Sequence, residues 1–272
     1  MTAVGDVLGR CRSEGRAALI GYLPVGYPDT PRSIEAMTAM VEAGVDIVEV
    51  GVPYSDPLMD GPVIQHAAEQ ALRGGSRVGD VFTATAAVRA AGAPALVMTY
   101  WNVVLRRGVS TFAADLAASG GSGLITPDLI PDEAADWIAA SDEHHLDRVF
   151  LVAPSSTPDR LLRATSACRG FVYAASTMGV TGTRQSVDSA AAGLVQRTRA
   201  VTDLPVCVGL GVSNGSQAAD VARFADGVIV GAALVQTLTD APSHEDGIRA
   251  LQALVGDLAD GVRAGRHEAV SG

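Results

Sequence analysis

At 272 residues the chain is long enough for a large core, arranged as one barrel or as two smaller domains. It is 48% hydrophobic and 18% charged, which rules out general disorder, and a formal charge of −10 argues against nucleic acid or an anionic membrane as the main partner. No apolar run approaches a membrane span and the opening MTAVGDVLGRCRSEG has no signal-peptide core, so a cytoplasmic protein is expected.

A short helix is expected near Val4 to Ser13, ahead of the first apolar run, Ala17 to Pro24. A helical stretch from Pro31 to Ala43 leads into the second run, VDIVEVGV, beginning at Val45. Further runs follow at Ala95 to Tyr100, Ser122 to Pro127, Arg148 to Pro154, Gly170 to Ser176, Leu204 to Gly211 and Asp226 to Ala233. Alanine-rich helical segments lie between them at Ser110 to Ser119, Asp132 to Ser141, Asp159 to Ala167, Ser189 to Val201 and Ser216 to Phe224. A last helix is expected over Glu245 to Arg263, with residues 264–272 as a loose tail. Eight near-continuously apolar runs alternating with helices, roughly 25 to 30 residues apart, predict an α/β fold, a (β/α)₈ TIM barrel with an extra N-terminal helix, as a single domain over 1–272. A doubly wound sheet is the alternative.

Cys11, Cys168 and Cys207 have no paired spacing, so neither a disulfide framework nor a zinc site is suggested. The sequence contains no lysine, which removes a Schiff-base mechanism, a lysine-held pyridoxal phosphate and a P-loop. The five histidines offer no candidate metal ligand at a strand end, so no metal is expected.

In a barrel of this kind the chemistry sits at the C-terminal ends of the strands. There the second run places Glu49 on a face shared with Ile47 and Gly51, opposite Val48 and Val50. A carboxylate in that setting is costly to desolvate, and burial raises its pKa toward neutrality, where it can exchange protons. The loop after it adds Asp56 and Asp60. Asp56 reads as structural or partner-facing; Asp60, ahead of a glycine, reads as a turn former on its own spacing. Tyr100 reads as a rim aromatic, Asp128 as a loop-ordering residue, and His144 and His145 as surface residues. Three late loops are glycine-rich: MGVTGTR from Met178, GLGVSNG from Gly209 and VGAA from Val230. Backbone N–H groups there would have to hold an anion, since no arginine lies in the last two loops.

Six segments resemble the tryptophan synthase α chain family: YLPVGYPD (Tyr22 to Asp29), VEVGVPYSDPLMDGPVIQ (Val48 to Gln65), MTYWN (Met98 to Asn102), TPDLIPDE (Thr126 to Glu133), MGVTGTR and GLGVS. The resemblance implies a lyase that cleaves indole-3-glycerol phosphate to indole and glyceraldehyde 3-phosphate by a retro-aldol step. It implies Glu49 and Asp60 as catalytic carboxylates and Tyr173 beside the substrate. Thr181 and Gly182 fall in a closing loop, and Gly211, Gly231 and Ala232 at the phosphate. It further implies an α₂β₂ complex with a β chain that carries pyridoxal phosphate, and no cofactor in this chain. Leu210, Ala232 and Thr177 depart from the commonest pattern, where an aromatic, a serine and an arginine are frequent. Two other readings stay open: a module that mainly activates a partner chain, suggested by the PYSDP loop, and a sugar-phosphate epimerase on a similar barrel.

Overall fold

A computed structural model describes residues 3–175 and 184–270 of the chain. The strands are β1 (Ala18–Pro24), β2 (Ile47–Gly51), β3 (Ala95–Met98), β4 (Gly123–Ile125), β5 (Asp147–Val149), β6 (Leu151–Val152), β7 (Val172–Ala175), β8 (Val206–Gly209) and β9 (Gly227–Val230). The helices are α1 (Ala3–Ser13), α2 (Thr30–Ala43), α3 (Pro62–Arg73), α4 (Val78–Ala90), α5 (Trp101–Arg107), α6 (Val109–Ala118), α7 (Ala135–Glu143), α8 (Pro158–Ala167), α9 (Arg184–Arg199), α10 (Gly215–Ala222), α11 (Ala232–Asp240) and α12 (His244–Val270).

All strand pairs are parallel, in the order β5-β4-β3-β2-β1-β9-β8-β7-β6. The two ends of that order, β5 and β6, are halves of one apolar run, so the sheet curls round on itself into the expected barrel. The run divides at Phe150, whose N–H turns to Cys168 Sγ at 3.3 Å while its carbonyl accepts from Tyr173 N at 3.2 Å. The first strand meets the last along a seam that pairs Ala18 with Gly227 and Gly21 with Val230.

Strand alternation divides the core into two layers. Inward side chains, among them Ile20, Ile47, Leu96, Ile125, Phe171 and Ile229, fill the barrel. Helix α1 seals its lower end with Val4, Val7, Leu8 and Cys11, all buried. Each such aliphatic side chain contributes about 1.5–3 kcal/mol when fully withdrawn from water. Outward side chains such as Leu19, Val48, Val50 and Val97 pack under the surrounding helices. Local signals set the helix ends. Asp29 caps α2 by accepting from Arg32 N at 2.9 Å, Pro31 fits its first turn, and Gly44 closes it with N–H bonds to Met40 and Val41 carbonyls.

The helical segments read from the sequence are present, and α3, α4, α5 and α11 join them. The tail expected over 264–272 requires correction, because α12 continues to Val270. Its Gly261 and Gly265 lie against Gly215 and Ala219 of α10, so closely that a Cβ at either glycine would overlap the α10 backbone. A stripe of small residues one helical turn apart lets the two helices touch, and that contact carries α12 past Arg263.

Candidate active site at the barrel mouth

Glu49 continues the inward row begun by Ile47, near the upper end of β2, and is 1% exposed. Its Oε1 is buried without a hydrogen-bond partner among the described residues. Burial alone pushes its carboxyl up to about 8, so the group is largely protonated at neutral pH and within reach of both protonation states. Asp60 is half-buried in the loop that follows β2, and burial raises its carboxyl as well.

Two tyrosines complete the mouth. Tyr22 on β1 is the register partner of Glu49, and its ring lies across Gly51, where any Cβ would collide with the phenol. Tyr173 on β7 lies in the same manner across Gly209 of β8, its hydroxyl 2.6 Å from the position a Cβ would take. Glycine at both places makes room for a ring. Burial first, then the negative charges of Asp60 and Glu49, hold the Tyr22 phenol well above its ordinary range. Burial and Glu49 do the same for Tyr173. Both hydroxyls therefore keep their protons. The strand register sets Tyr22 beside Glu49, and the glycine contacts put both rings at the upper end of the barrel.

At that end, Gly231 approaches the Tyr22 ring to 3.3 Å, measured from the position of an added Cβ. Ala232 is exposed and opens α11, whose N-terminus has no side-chain cap. Gly211 is exposed in the left-handed region at φ 64°, in the loop between β8 and α10. The start of α10 is already occupied: Asn214 accepts from Gln217 N at 3.0 Å, and Gly215 N donates to Asp257 at 2.6 Å. The uncapped turn at Gly231 and Ala232 is the amide-rich end that faces the mouth. Leu210 is buried in the outer core layer. Thr177, Thr181 and Gly182 lie outside the described residues.

The pattern of residue types did not mark Tyr22 and marked Tyr100 only as a rim aromatic. Tyr22 was visible in principle, since it alternates with the inward Ile20. Tyr100 is more than a rim aromatic: its hydroxyl accepts from Leu58 N and Met59 N, both at 3.0 Å, just before Asp60, and its ring stacks on Tyr54 at 4.6 Å. Asp128 caps α5 by accepting from Trp101 N at 2.9 Å, and Asp56 accepts from its neighbour Ser55 on the exposed face of the loop. These bonds join the loops after β2, β3 and β4 into one rim. Among the described residues no cluster of His, Cys, Asp or Glu is placed to hold a metal ion.

The family model described as tryptophan synthase alpha chain matches residues 8–263. The tryptophan synthase alpha chain of Mycobacterium tuberculosis is 64% identical over 262 residues, covering 96% of this chain and 95% of the relative, and that of Mycobacterium marinum is 63% identical over 260 residues, with 96% and 94% covered. A solved tryptophan synthase structure from M. tuberculosis superposes with a TM-score of 0.90 at 62% identity, covering 96% of this chain and 98% of that one. The alpha subunit from Legionella pneumophila superposes at 0.88 with 29% identity, covering 96% and 98%. The carboxylates at the barrel mouth and these matches along nearly the whole length lead to one statement: the chain belongs to the tryptophan synthase alpha chain family, the lyases that cleave indole-3-glycerol phosphate to indole and glyceraldehyde 3-phosphate.

Proposed function

We propose that Glu49 and Asp60 carry out this cleavage. The protonated Glu49 carboxyl donates to the indole ring carbon that bears the glycerol chain. The resulting carboxylate takes the proton of the hydroxyl on the adjacent chain carbon. As the carbon–carbon bond breaks, its electron pair returns to the ring and the hydroxyl oxygen becomes the aldehyde. Glu49 ends the cycle protonated, as it began. Asp60, ionised, accepts the indole N–H and offsets the positive charge that develops on the ring. Tyr173 flanks the reacting centre, and Thr181 with Gly182 is assigned to substrate binding. The phosphate binds the amides at Gly211, Gly231 and Ala232 and the dipole of α11. Ala232 offers no hydroxyl, so the backbone carries that interaction. The observation that carries this reading is a desolvated carboxyl, unpartnered at Oε1 and 1% exposed, in an apolar barrel mouth.

The partner in this reading is a β chain carrying pyridoxal phosphate, in an α₂β₂ complex of the cytoplasm, with indole passing between the subunits. This chain acts as one barrel unit over 1–272 and carries no cofactor of its own. Leu58 is 85% exposed, and Met59, Leu105 and Ile130 are each about half exposed. All four lie on the joined rim after β2, β3 and β4, an apolar surface of the kind partners cover. One of the solved M. tuberculosis relatives is an aminoacrylate-bound form of tryptophan synthase. The test is indole release from indole-3-glycerol phosphate by the purified chain, with and without a β chain. Indole in both, faster with the β chain, is expected; none in either overturns the reading.

A further inference from the structure

The Tyr22 side chain is built into the mouth from three sides. Its Cα is in register with Glu49, its hydroxyl lies over Gly51, and the opposite edge of its ring meets Gly231. Gly51 follows Glu49 by two positions on the same inward face of β2, so the phenol stands just above the carboxyl, on the side of the Asp60 loop. The side chain is only 9% exposed, with its hydroxyl end against Gly51, two positions beyond Glu49, and its other edge against Gly231, which opens α11.

A substrate whose ring lies by Asp60 and whose phosphate lies by Gly231 must pass its three-carbon chain beneath that hydroxyl. We propose that Tyr22 is a further catalytic residue of the lyase: its hydroxyl donates a hydrogen bond to the chain oxygen from which Glu49 removes a proton. The inference rests on the roles assigned above to Glu49 and Asp60. The balance of the step is unchanged. Glu49 takes the proton, the bond's electron pair enters the ring, and Tyr22 keeps its own proton throughout while its hydrogen bond offsets the charge gathering on the oxygen. Burial and the neighbouring carboxylates favour the protonated phenol, which suits a donor that must not ionise.

Tyr22→Phe keeps the ring that fills the space over Gly51 and removes only the donor. The full-length variant, assayed with a β chain present, is expected to lose kcat/KM for indole-3-glycerol phosphate on the order of 10- to 100-fold, as for a hydrogen bond to a charged group. An indole-propyl phosphate lacking both chain hydroxyls has no oxygen to receive the bond. Its dissociation constant is expected to stay within about twofold of wild type, since the ring and phosphate contacts persist. A loss of under about threefold in kcat/KM overturns the inference, and so does equal weakening of the deoxy analogue, which marks Tyr22 as packing alone. Glu49→Gln is measured in parallel. If it stays active, the underlying reading of the site fails. If it is inactive while Tyr22→Phe is fully active, only the role of Tyr22 fails.

Discussion

Two carboxylates three positions apart, one just before β2 and one within it, are treated by the fold in opposite ways. Asp46, just below the strand's foot, accepts two hydrogen bonds from Arg16 at 2.7 and 2.8 Å and a third from Leu19 N at 2.9 Å. Glu49, near its head, leaves its Oε1 without a donor among the described residues. The contrast extends round the barrel. At the lower end Arg148 and Arg169 hold Asp142, and Arg199 and Val206 N hold Asp226. At the upper end Glu49 lies beside Tyr22, and burial raises the carboxyls of both Glu49 and Asp60. Satisfied charges rigidify a structure, whereas unsatisfied ones keep free energy in reserve for a ligand. One end of the barrel is constructed for stability and the other for reaction, in keeping with the division of labour in this architecture.

The sharpest way to break that contrast is to neutralise each acid in turn. Glu49→Gln is expected to lower indole turnover about 10²- to 10⁴-fold, the usual worth of a general acid–base group, with a folded barrel by circular dichroism. Asp46→Ala is expected to do the reverse. It strands Arg16 and Leu19 N and costs roughly 3 kcal/mol in urea unfolding, while turnover per folded molecule holds within about twofold. Equal turnover losses in the two variants would erase the distinction between the ends.

The pH dependence of stability is expected to follow Glu49. Its carboxyl titrates in the ordinary range when unfolded but is raised to about 8 by burial when folded. Its contribution is therefore complete below the ordinary range, is lost as pH rises to about 8, and changes no further above that. Glu49→Gln cannot ionise, so its unfolding free energy should gain on wild type between about pH 5 and pH 8, by several kcal/mol at most, and then run parallel. A constant gap would mean that Glu49 is solvated. Turnover should be bell-shaped: the alkaline limb near 8 reports the protonated Glu49, and the acid limb lies above the ordinary carboxylate range because burial raises Asp60.

The smallest effect is expected for Tyr100→Phe. The ring still stacks on Tyr54, but the acceptor for the Leu58 and Met59 amides is gone. With each of the two lost hydrogen bonds worth about 0.5 kcal/mol, the low end for amides that water can reach, kcat/KM should fall about fivefold with little change in Tm. A variant as fast as wild type would show that Asp60 does not depend on this anchor.

The barrel was legible because its strands are short, apolar and evenly spaced, which covered parallel strands must be. Glu49 was legible for a related reason: one acid interrupting an inward apolar row has few structural explanations. The rest turned on relations that no single stretch contains. The role of Tyr100 depends on loop amides some forty positions earlier in the chain. The ring of Tyr22 is legible only beside Gly51 on β2 and Gly231 just after β9. The end of α12 was misjudged because the reason it stays helical, the small-residue face of α10, is a tertiary contact. Helix α4 escaped notice because its apolar and polar residues show no amphipathic stripe, even though Val81, Ala84 and Val88 are buried.

The seam between β1 and β9 has a consequence for how the enzyme comes into being. Tyr22 is made long before Gly231, yet the two meet at the seam between neighbouring strands. On the ribosome the opening strand must wait, its edge unpaired, for nearly the whole polypeptide to emerge. A nascent or prematurely ended chain therefore has no pocket of partial quality. Competence to hold substrate arrives in one step, when β1 and β9 pair.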